Sequence, residues 1–362
     1  MDSCRIRRWL RSAFVTMASA CVVAGCATAR STTPPSDAPL LQPLRFASEG
    51  VWVEDPTARP CRLEDLRDCG RQCGRHNSES CARLAQLLEP RCDAGNANDC
   101  LALGLLYVSG PTAVRNPTRA AQRFQELCER DPSVACNLLG IAYWSGRGVA
   151  RDDAKAASLF SRSCDAGAAA GCVNLGRCYT FGRGGYAVDD ARAANLYEQG
   201  CTAGESLGCT LLGESYRDAR GVPKDVARAA EFYAKGCELG DVHGCTQLGY
   251  SYAEGAGVAK DVARAANLWT AACAKDDASA CGGLADAYYE GSGVTRDFVR
   301  AAEAAKRGCE LGELSDCGRL GALFQRGEGV PKDLARAAEL YKHVCDGGMA
   351  LGCTHLEALQ KR

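Results

Sequence analysis

Cysteine recurs in this chain in pairs eight residues apart: Cys92/Cys100, Cys128/Cys136, Cys164/Cys172, Cys201/Cys209, Cys237/Cys245, Cys273/Cys281, Cys309/Cys317 and Cys345/Cys353. Successive pairs are 36 residues apart, with one spacing of 37 where Gly182-Arg183-Gly184-Gly185-Tyr186 carries an extra residue. Self-similarity at such a period belongs to stacked repeats, in which each unit buries its apolar face only against its neighbours. A chain of 362 residues has the length of two or three globular domains, but the period predicts a single row of equivalent layers.

Each unit is counted from the second cysteine of a pair. Within one period, Cys245 to Ala280, the residues Leu248, Gly249, Tyr252 and Gly255 stand three or four apart and form one apolar face of a first helix. The same face returns as Leu212, Gly213, Tyr216 and as Leu320, Gly321, Phe324. Gly255-Ala256-Gly257 then ends that helix, since glycine accepts left-handed backbone angles without strain. Asp261 is placed to cap a second helix, and Asp225, Asp297 and Asp333 recur at its position. Small residues on the second helix, such as Ala265 and Ala266, allow it to lie close to the first.

Eight residues of continuous helix would hold two Cα atoms about 12 Å apart, whereas a disulfide needs roughly 4.4 to 6.8 Å. The chain therefore reverses between paired cysteines, and Gly240-Asp241 supplies a glycine stop followed by a cap, with Gly204, Gly312 and Gly347 in the corresponding turns. Each of the eight pairs then joins the second helix of one unit to the first helix of the next. Twenty-four cysteines suit an oxidising compartment. Four histidines, His76, His243, His343 and His355, and the absence of a repeated zinc-type spacing argue against metal, so neither metal nor cofactor is expected. Cys61/Cys69 and Cys73/Cys81 offer two more eight-residue pairs, in a stretch where no full helical hairpin is predicted. Cys178 has no partner at this spacing and reads as a buried free thiol.

The pattern L-G-x-x-Y-x-x-G-x-G-V-x-K-D-x-x-x-A, present from Leu248 to Ala265, resembles the Sel-one-like repeats, relatives of the tetratricopeptide repeats. With a C-x7-C junction in each unit, it is similar to the Helicobacter cysteine-rich branch of that family. The resemblance covers residues 92–353 in seven full units and implies an all-α, right-handed superhelical α/α solenoid of 36-residue hairpins stapled by disulfides. Two units depart from the pattern: the first has Gly110-Pro111-Thr112-Ala113-Val114 in place of the glycine loop, and Ala219 replaces a glycine in the fourth.

Arg5, Arg7, Arg8 and Arg11 precede a short apolar run from Ala13 to Val23, and Val23-Ala24-Gly25-Cys26 resembles a bacterial lipobox. The expected organisation is a lipoprotein signal peptide (1–25), a Pro/Ser/Thr-rich tether (26–60), a divergent Cys-rich cap (61–99), seven repeats (100–352) and a partial C-terminal helix (353–362). Cys26 becomes the lipidated residue. Ala27 after it resembles the pattern sorted to the outer membrane, facing the periplasm or the cell surface, with the lipid on Cys26 as the only membrane contact. Phe46, Val51, Trp52 and Val53 are candidates to dock on the first repeats. Removing residues 1–25 takes away four arginines and one aspartate and moves the net charge from −1 to −4, which gives no reason to expect nucleic acid.

Motifs for catalysis are missing: the chain has no Ser-x-x-Lys, Lys-Thr-Gly or His-Glu-x-x-His and no phosphate-cradling loop. The family resemblance keeps β-lactam hydrolysis and peptidoglycan binding as alternatives, without catalytic residues to assign. Comparison among the units is more informative. On the first helix, away from its apolar face, one position reads Leu105, Ile141, Arg177, Glu214, Tyr250, Asp286, Ala322, and the position three later reads Val108, Trp144, Thr180, Arg217, Ala253, Tyr289, Gln325. A regular scaffold with an irregular stripe is how repeat proteins build a concave groove for a protein or peptide. Trp144, Arg177, Glu214, Arg217, Tyr250, Asp286 and Tyr289 are its candidate contacts, with the aromatics expected to be exposed. The cations Arg119, Lys155, Arg192, Arg228, Arg264, Arg300 and Arg336 recur near the start of the second helix, where nearby aspartates favour local ion pairs over a polyanion site.

Overall fold

A computed structural model describes residues 60–61 and 65–360, which contain seventeen α-helices and no strand. Cys26, the leader, and the tether with Phe46 and Val51–Val53 lie outside the described residues. The helices are α1 Leu66–Gly74, α2 Ser78–Asp93, α3 Ala97–Ser109, α4 Pro117–Arg130, α5 Val134–Ser145, α6 Asp153–Asp165, α7 Ala169–Phe181, α8 Asp190–Thr202 and α9 Ser206–Asp218. They continue as α10 Val226–Glu238, α11 Val242–Glu254, α12 Val262–Cys273, α13 Ala278–Glu290, α14 Phe298–Glu310, α15 Leu314–Arg326, α16 Leu334–Asp346 and α17 Ala350–Gln360. Two compact units divide the chain: residues to Lys224 together with Glu238–Gly240, and Asp225–Cys237 together with Asp241 onward.

In both units consecutive helices pack as hairpins, the α/α repeat architecture that the period predicts. The local signals are the expected ones. Asp261 caps α12 by accepting the Arg264 N–H at 2.9 Å, and Asp297 and Asp333 do the same for α14 and α16. Asp152, Asp189 and, in the first repeat, Asn116 hold the equivalent position. Each such cap contributes about 1 kcal/mol.

Among the described residues ten disulfides form, all between cysteines eight apart, with Cα atoms 4.5–4.7 Å from each other. Two of them, Cys61–Cys69 and Cys73–Cys81, staple the residues before the first repeat. The others are Cys92–Cys100, Cys128–Cys136, Cys164–Cys172 and Cys201–Cys209, then Cys237–Cys245, Cys273–Cys281, Cys309–Cys317 and Cys345–Cys353.

The first helix of each repeat begins ahead of the second cysteine, at Ala97, Val134, Ala169, Ser206, Val242, Ala278 and Leu314, where a cap such as the one expected at Asp241 puts it. The last helix likewise starts at Ala350 and not at Cys353. The reason is the cap, which sits in the turn: Asn96 accepts the Asp99 N–H, Asp241 the Gly244 N–H and Asp277 the Ala280 N–H, at 2.8–3.3 Å. The second cysteine thereby falls inside the first turn of its helix. There Cys100, Cys136, Cys172, Cys209, Cys281 and Cys317 are buried.

The chain reverses through a left-handed residue three positions after the first cysteine, at Gly204, Gly240 and Gly312. In the last turn that residue is Gly348 (φ 88°), whereas Gly347, the residue expected there, has φ −75°. Asp276 takes the same role in the α12–α13 turn with φ 65°, and His76 in the α1–α2 turn with φ 62°.

Residues 61–91 also correct the sequence reading, because α1 and α2 form a helical hairpin where none was predicted. The periodic signal is weak there since buried polar groups occupy core positions. Asp68 lies on α1 and pairs with Arg71 at 3.3 Å, and Ser80 donates to Asn77 and accepts the Cys61 N–H.

Two packing rules account for the repeated glycines. On the first helix, a Cβ at Gly104, Gly140, Gly176, Gly249 or Gly321 would come within 2.4–2.9 Å of the ring of Phe124, Phe160, Tyr197, Trp269 or Tyr341 on the second helix of the same repeat. The sixth repeat changes both partners together, with Ala285 in place of the glycine and Ala305 in place of the ring, both fully buried. In the interhelical loop, a Cβ at Gly257 would lie 2.1 Å from the Val226 carbonyl oxygen, at the start of the preceding repeat's second helix. Gly148, Gly221, Gly293 and Gly329 approach the equivalent residues as closely. Left-handed geometry is therefore only half of what that loop glycine supplies; the other half is contact between repeats.

Candidate partner-binding face

The recurring cations on the second helices turn back onto their own repeats. Lys155, Arg192, Arg264, Arg300 and Arg336 lie over the rings of Tyr143, Tyr179, Tyr252, Tyr288 and Phe324, with centroid distances from 4.6 to 5.6 Å. Lys155, Arg192, Arg228 and Arg300 also pair with their helix-capping aspartates at 3.2–3.9 Å, and Arg119 pairs with Glu89 at 2.8 Å. The cation–π contacts clamp second helix to first helix within each of these repeats.

The stripe on the first helices differs between the two units. In the second unit its polar groups are engaged by the next repeat. Tyr250 is half-buried, donates its hydroxyl to the Ser279 carbonyl at 2.9 Å and packs on Trp269 at 5.0 Å between ring centroids. Burial, reinforced by Asp286, Asp316 and Asp277, pushes its hydroxyl up to about 12. Tyr289 accepts from Arg326 at 2.6 Å, lies 3.2 Å from Glu328 and packs on Phe298. Asp286 pairs with Arg319 at 2.7 Å, and Arg319 also holds Asp316. Asp316 is wholly buried, and its Oδ2 has no hydrogen-bond partner. That oxygen lies where a Cβ on Gly308 would sit, and burial raises the carboxyl to about 7 despite the opposing pull of Arg319.

In the first unit, Glu214 approaches Arg220 at 3.8 Å, and Arg217 grips Asp218 through two contacts of 2.8 and 3.0 Å. Trp144 is half-buried against Phe160 at 6.0 Å. The guanidinium groups of Arg177 and Arg183 lie over its ring at 6.0 and 5.2 Å. The expectation of exposed aromatics is thus corrected for Trp144, Tyr250 and Tyr289: all three are half-buried, because each ring also fills space beside a second-helix aromatic. Arg183 and the 57% exposed Phe181 belong to the same neighbourhood and were not singled out by the unit comparison, since Arg183 sits in the loop that carries the insertion. Leu105, at the stripe position of the first repeat, is buried.

Cys178 is fully buried beside Ala156, Ala157, Phe160 and Leu175, and burial pushes its thiol up to about 12. Such a thiol is a packing group at neutral pH. A cleft of about 390 Å³ opens between α12 and α14 where Ala304 stands in place of the leucine of the neighbouring repeats. Its rim cations are both neutralised, Arg300 by Asp297 and Arg307 by Asp276.

Six copies of the Sel1 repeat match the chain, at residues 133–167, 169–205, 206–241, 242–277, 278–313 and 317–348. The chain belongs to the Sel1 repeat family. The α3–α4 hairpin, which lacks the glycine loop, precedes the matched residues but folds as its neighbours do. Among solved structures, the chain is similar to a protective antigen of uropathogenic Escherichia coli strains that displays an SLR fold, with 30% identity and a TM-score of 0.61. That match covers 76% of this chain and 59% of the other, so the chain spans less than two thirds of that protein. A Sel1 repeat protein of Oxalobacter formigenes matches with 24% identity and a TM-score of 0.59 over 68% of this chain and 96% of its own. Helicobacter pylori cysteine rich protein B shares 30% identity over 37% of this chain and 96% of its own, with a TM-score of 0.31. No curated protein matches the sequence.

Proposed function

We propose that this Sel1 repeat protein is an exported, non-catalytic scaffold that captures a protein or peptide on the variable face of its first helices. A lipid on Cys26 would hold it at the periplasmic face of the outer membrane. The observation that carries the reading is the contrast within each repeat. The Gly–aromatic contact, the capping Asp and the disulfide recur almost unchanged, while the stripe positions hold Trp144, Arg177, Glu214, Tyr250 and Asp286 in turn. Aromatic side chains lose little entropy on binding and arginine presents a planar fork of donors, which is why both anchor interfaces.

Ten disulfides support a site of action outside the reducing cytosol. Among the described residues no helix is long and apolar enough to cross a membrane, and Cys26 is the residue proposed for the anchor.

Purified mature protein serves as bait against an envelope extract, beside a Trp144→Ala variant and a Tyr250→Phe/Tyr289→Phe variant that keeps both rings. Partners held by wild type and lost from Trp144→Ala support the reading; equal recovery on all three baits sinks it. For the anchor, Cys26→Ser should move the protein from the membrane fraction to the soluble one, and unchanged fractionation would remove that part.

A further inference from the structure

Many arginines among the described residues meet a carboxylate, as Arg151 does with Asp153, Arg217 with Asp218, Arg319 with Asp286 and Arg326 with Glu328. Arg177 and Arg183 do not. Arg177 reaches only the amide oxygen of Asn174, at 3.5 Å, and both guanidinium groups lie over the Trp144 indole. The acid that senses Arg183 is Asp153, whose carboxylate is already gripped through both oxygens by Arg151 at 2.9 and 3.0 Å. Two cations are thus gathered on one ring without a counter-charge of their own.

Apolar surface adjoins them. Phe181, 57% exposed, lies 5.9 Å from the Arg183 guanidinium, and Ile141, 36% exposed, stands one helical turn before Trp144. The combination occurs once among the repeats. At the Phe181 position the other repeats carry Ser109, Ser145, Asp218, Glu254, Glu290 and Arg326, and at the Trp144 position only the sixth repeat has another ring. Tyr289 there is already hydrogen-bonded to Arg326.

We propose that Trp144, Phe181, Arg177 and Arg183 form the docking site for an acidic segment of a partner protein. Side-chain carboxylates of the segment meet the two guanidinium groups, and an adjacent apolar residue covers Phe181 and the free edge of Trp144. This proposal rests on the reading of the first-helix face as a binding surface and names the chemistry of its partner. Stacking on the indole pre-orients the guanidinium forks, so a carboxylate gains charge-assisted hydrogen bonds without first ordering two long side chains. The partner is a peptide segment, not a small anion, because the cations are flanked by exposed apolar surface that a small anion would leave uncovered.

The test uses a blocked peptide, acetyl-Ser-Glu-Leu-Glu-Leu-Glu-Ser-amide, its Glu→Gln counterpart and free acetate, titrated against the full mature protein by calorimetry. The acidic peptide should bind at least about ten-fold more tightly than the Gln peptide, a difference of about 1.4 kcal/mol. The preference should shrink as salt rises from about 0.02 to about 0.5 M. In Arg177→Gln/Arg183→Gln the two peptides should come within about two-fold of each other, with the far-UV spectrum and disulfide count unchanged, and Arg326→Gln should leave the preference intact. Absence of peptide binding, equal binding of both peptides, or acetate competing as well as the acidic peptide overturns the proposal. If the acidic preference is absent while captured envelope partners still depend on Trp144, the broader scaffold reading stands and this one alone falls.

Discussion

The stripe on the first helices is built in two ways. Around Asp286, Tyr289 and Asp316 the cations Arg319 and Arg326 are matched by an acid or a hydroxyl from an adjoining layer, so the polar groups act as mortar between repeats. Around Trp144 the cations Arg177 and Arg183 have been collected on an indole and left without acids. A repeat protein can use the same register for cohesion or for recognition, and saturation of its cations by acids or hydroxyls distinguishes the two uses. The saturated region should respond to mutation mainly in stability, the unsaturated one mainly in binding.

The largest expected effect comes from breaking the saturated region. Arg319→Met leaves the buried Asp316 without its cation and should cost about 3–5 kcal/mol in urea unfolding at pH 8. Arg177→Met should change stability by no more than about 0.5 kcal/mol. Equal losses would erase the distinction. Next in size are the staples. Replacing Cys164/Cys172 or Cys309/Cys317 by serine pairs opens loops of the same length, so each should cost about 2–3 kcal/mol. A clearly greater loss at Cys309/Cys317 would show that the Asp316 network, one residue away, depends on the staple.

The pH response sharpens the comparison further. Asp316 has its folded-state value raised to about 7, above the ordinary carboxylate value of about 4. The folded protein therefore binds the extra proton between these limits. Its contribution is fully present at about pH 4, declines by up to about 1.4 kcal/mol per pH unit towards neutrality, and is flat above the folded value. Asp316→Asn should remove that slope, and an unchanged slope would assign it to another group. Arg319→Met should accordingly cost less at pH 5 than at pH 8. The smallest effect is at Ala219, a non-glycine residue held at φ 56°. Ala219→Gly should raise stability by about 0.5–1 kcal/mol, relief of left-handed strain being partly offset by the entropy of glycine, as read from the urea midpoint.

Legibility in the sequence follows the range of the interaction. Helix caps such as Asp261, the reversing turns and the cysteine pairs act over three to nine residues and leave a fixed spacing, so the chain can be read directly for them. The α1–α2 hairpin escaped because Asp68 and Ser80 sit in its core, where periodicity expects apolar residues. The stripe was found by comparing units, but its state was not. Tyr250 meets Ser279, Asp286 meets Arg319 and Tyr289 meets Arg326, contacts that span most of a repeat or more and leave no local signature.

By itself the sequence determined the repeat, its two helices, their caps and the pairing of the sixteen cysteines from Cys92 to Cys353, because each of these is a consequence of local backbone geometry. Only the tertiary structure decided which stripe residues are consumed between layers and which remain for a partner. Saturation of a charge depends on what the neighbouring layer brings within about 3 Å of it, and helix periodicity does not encode that.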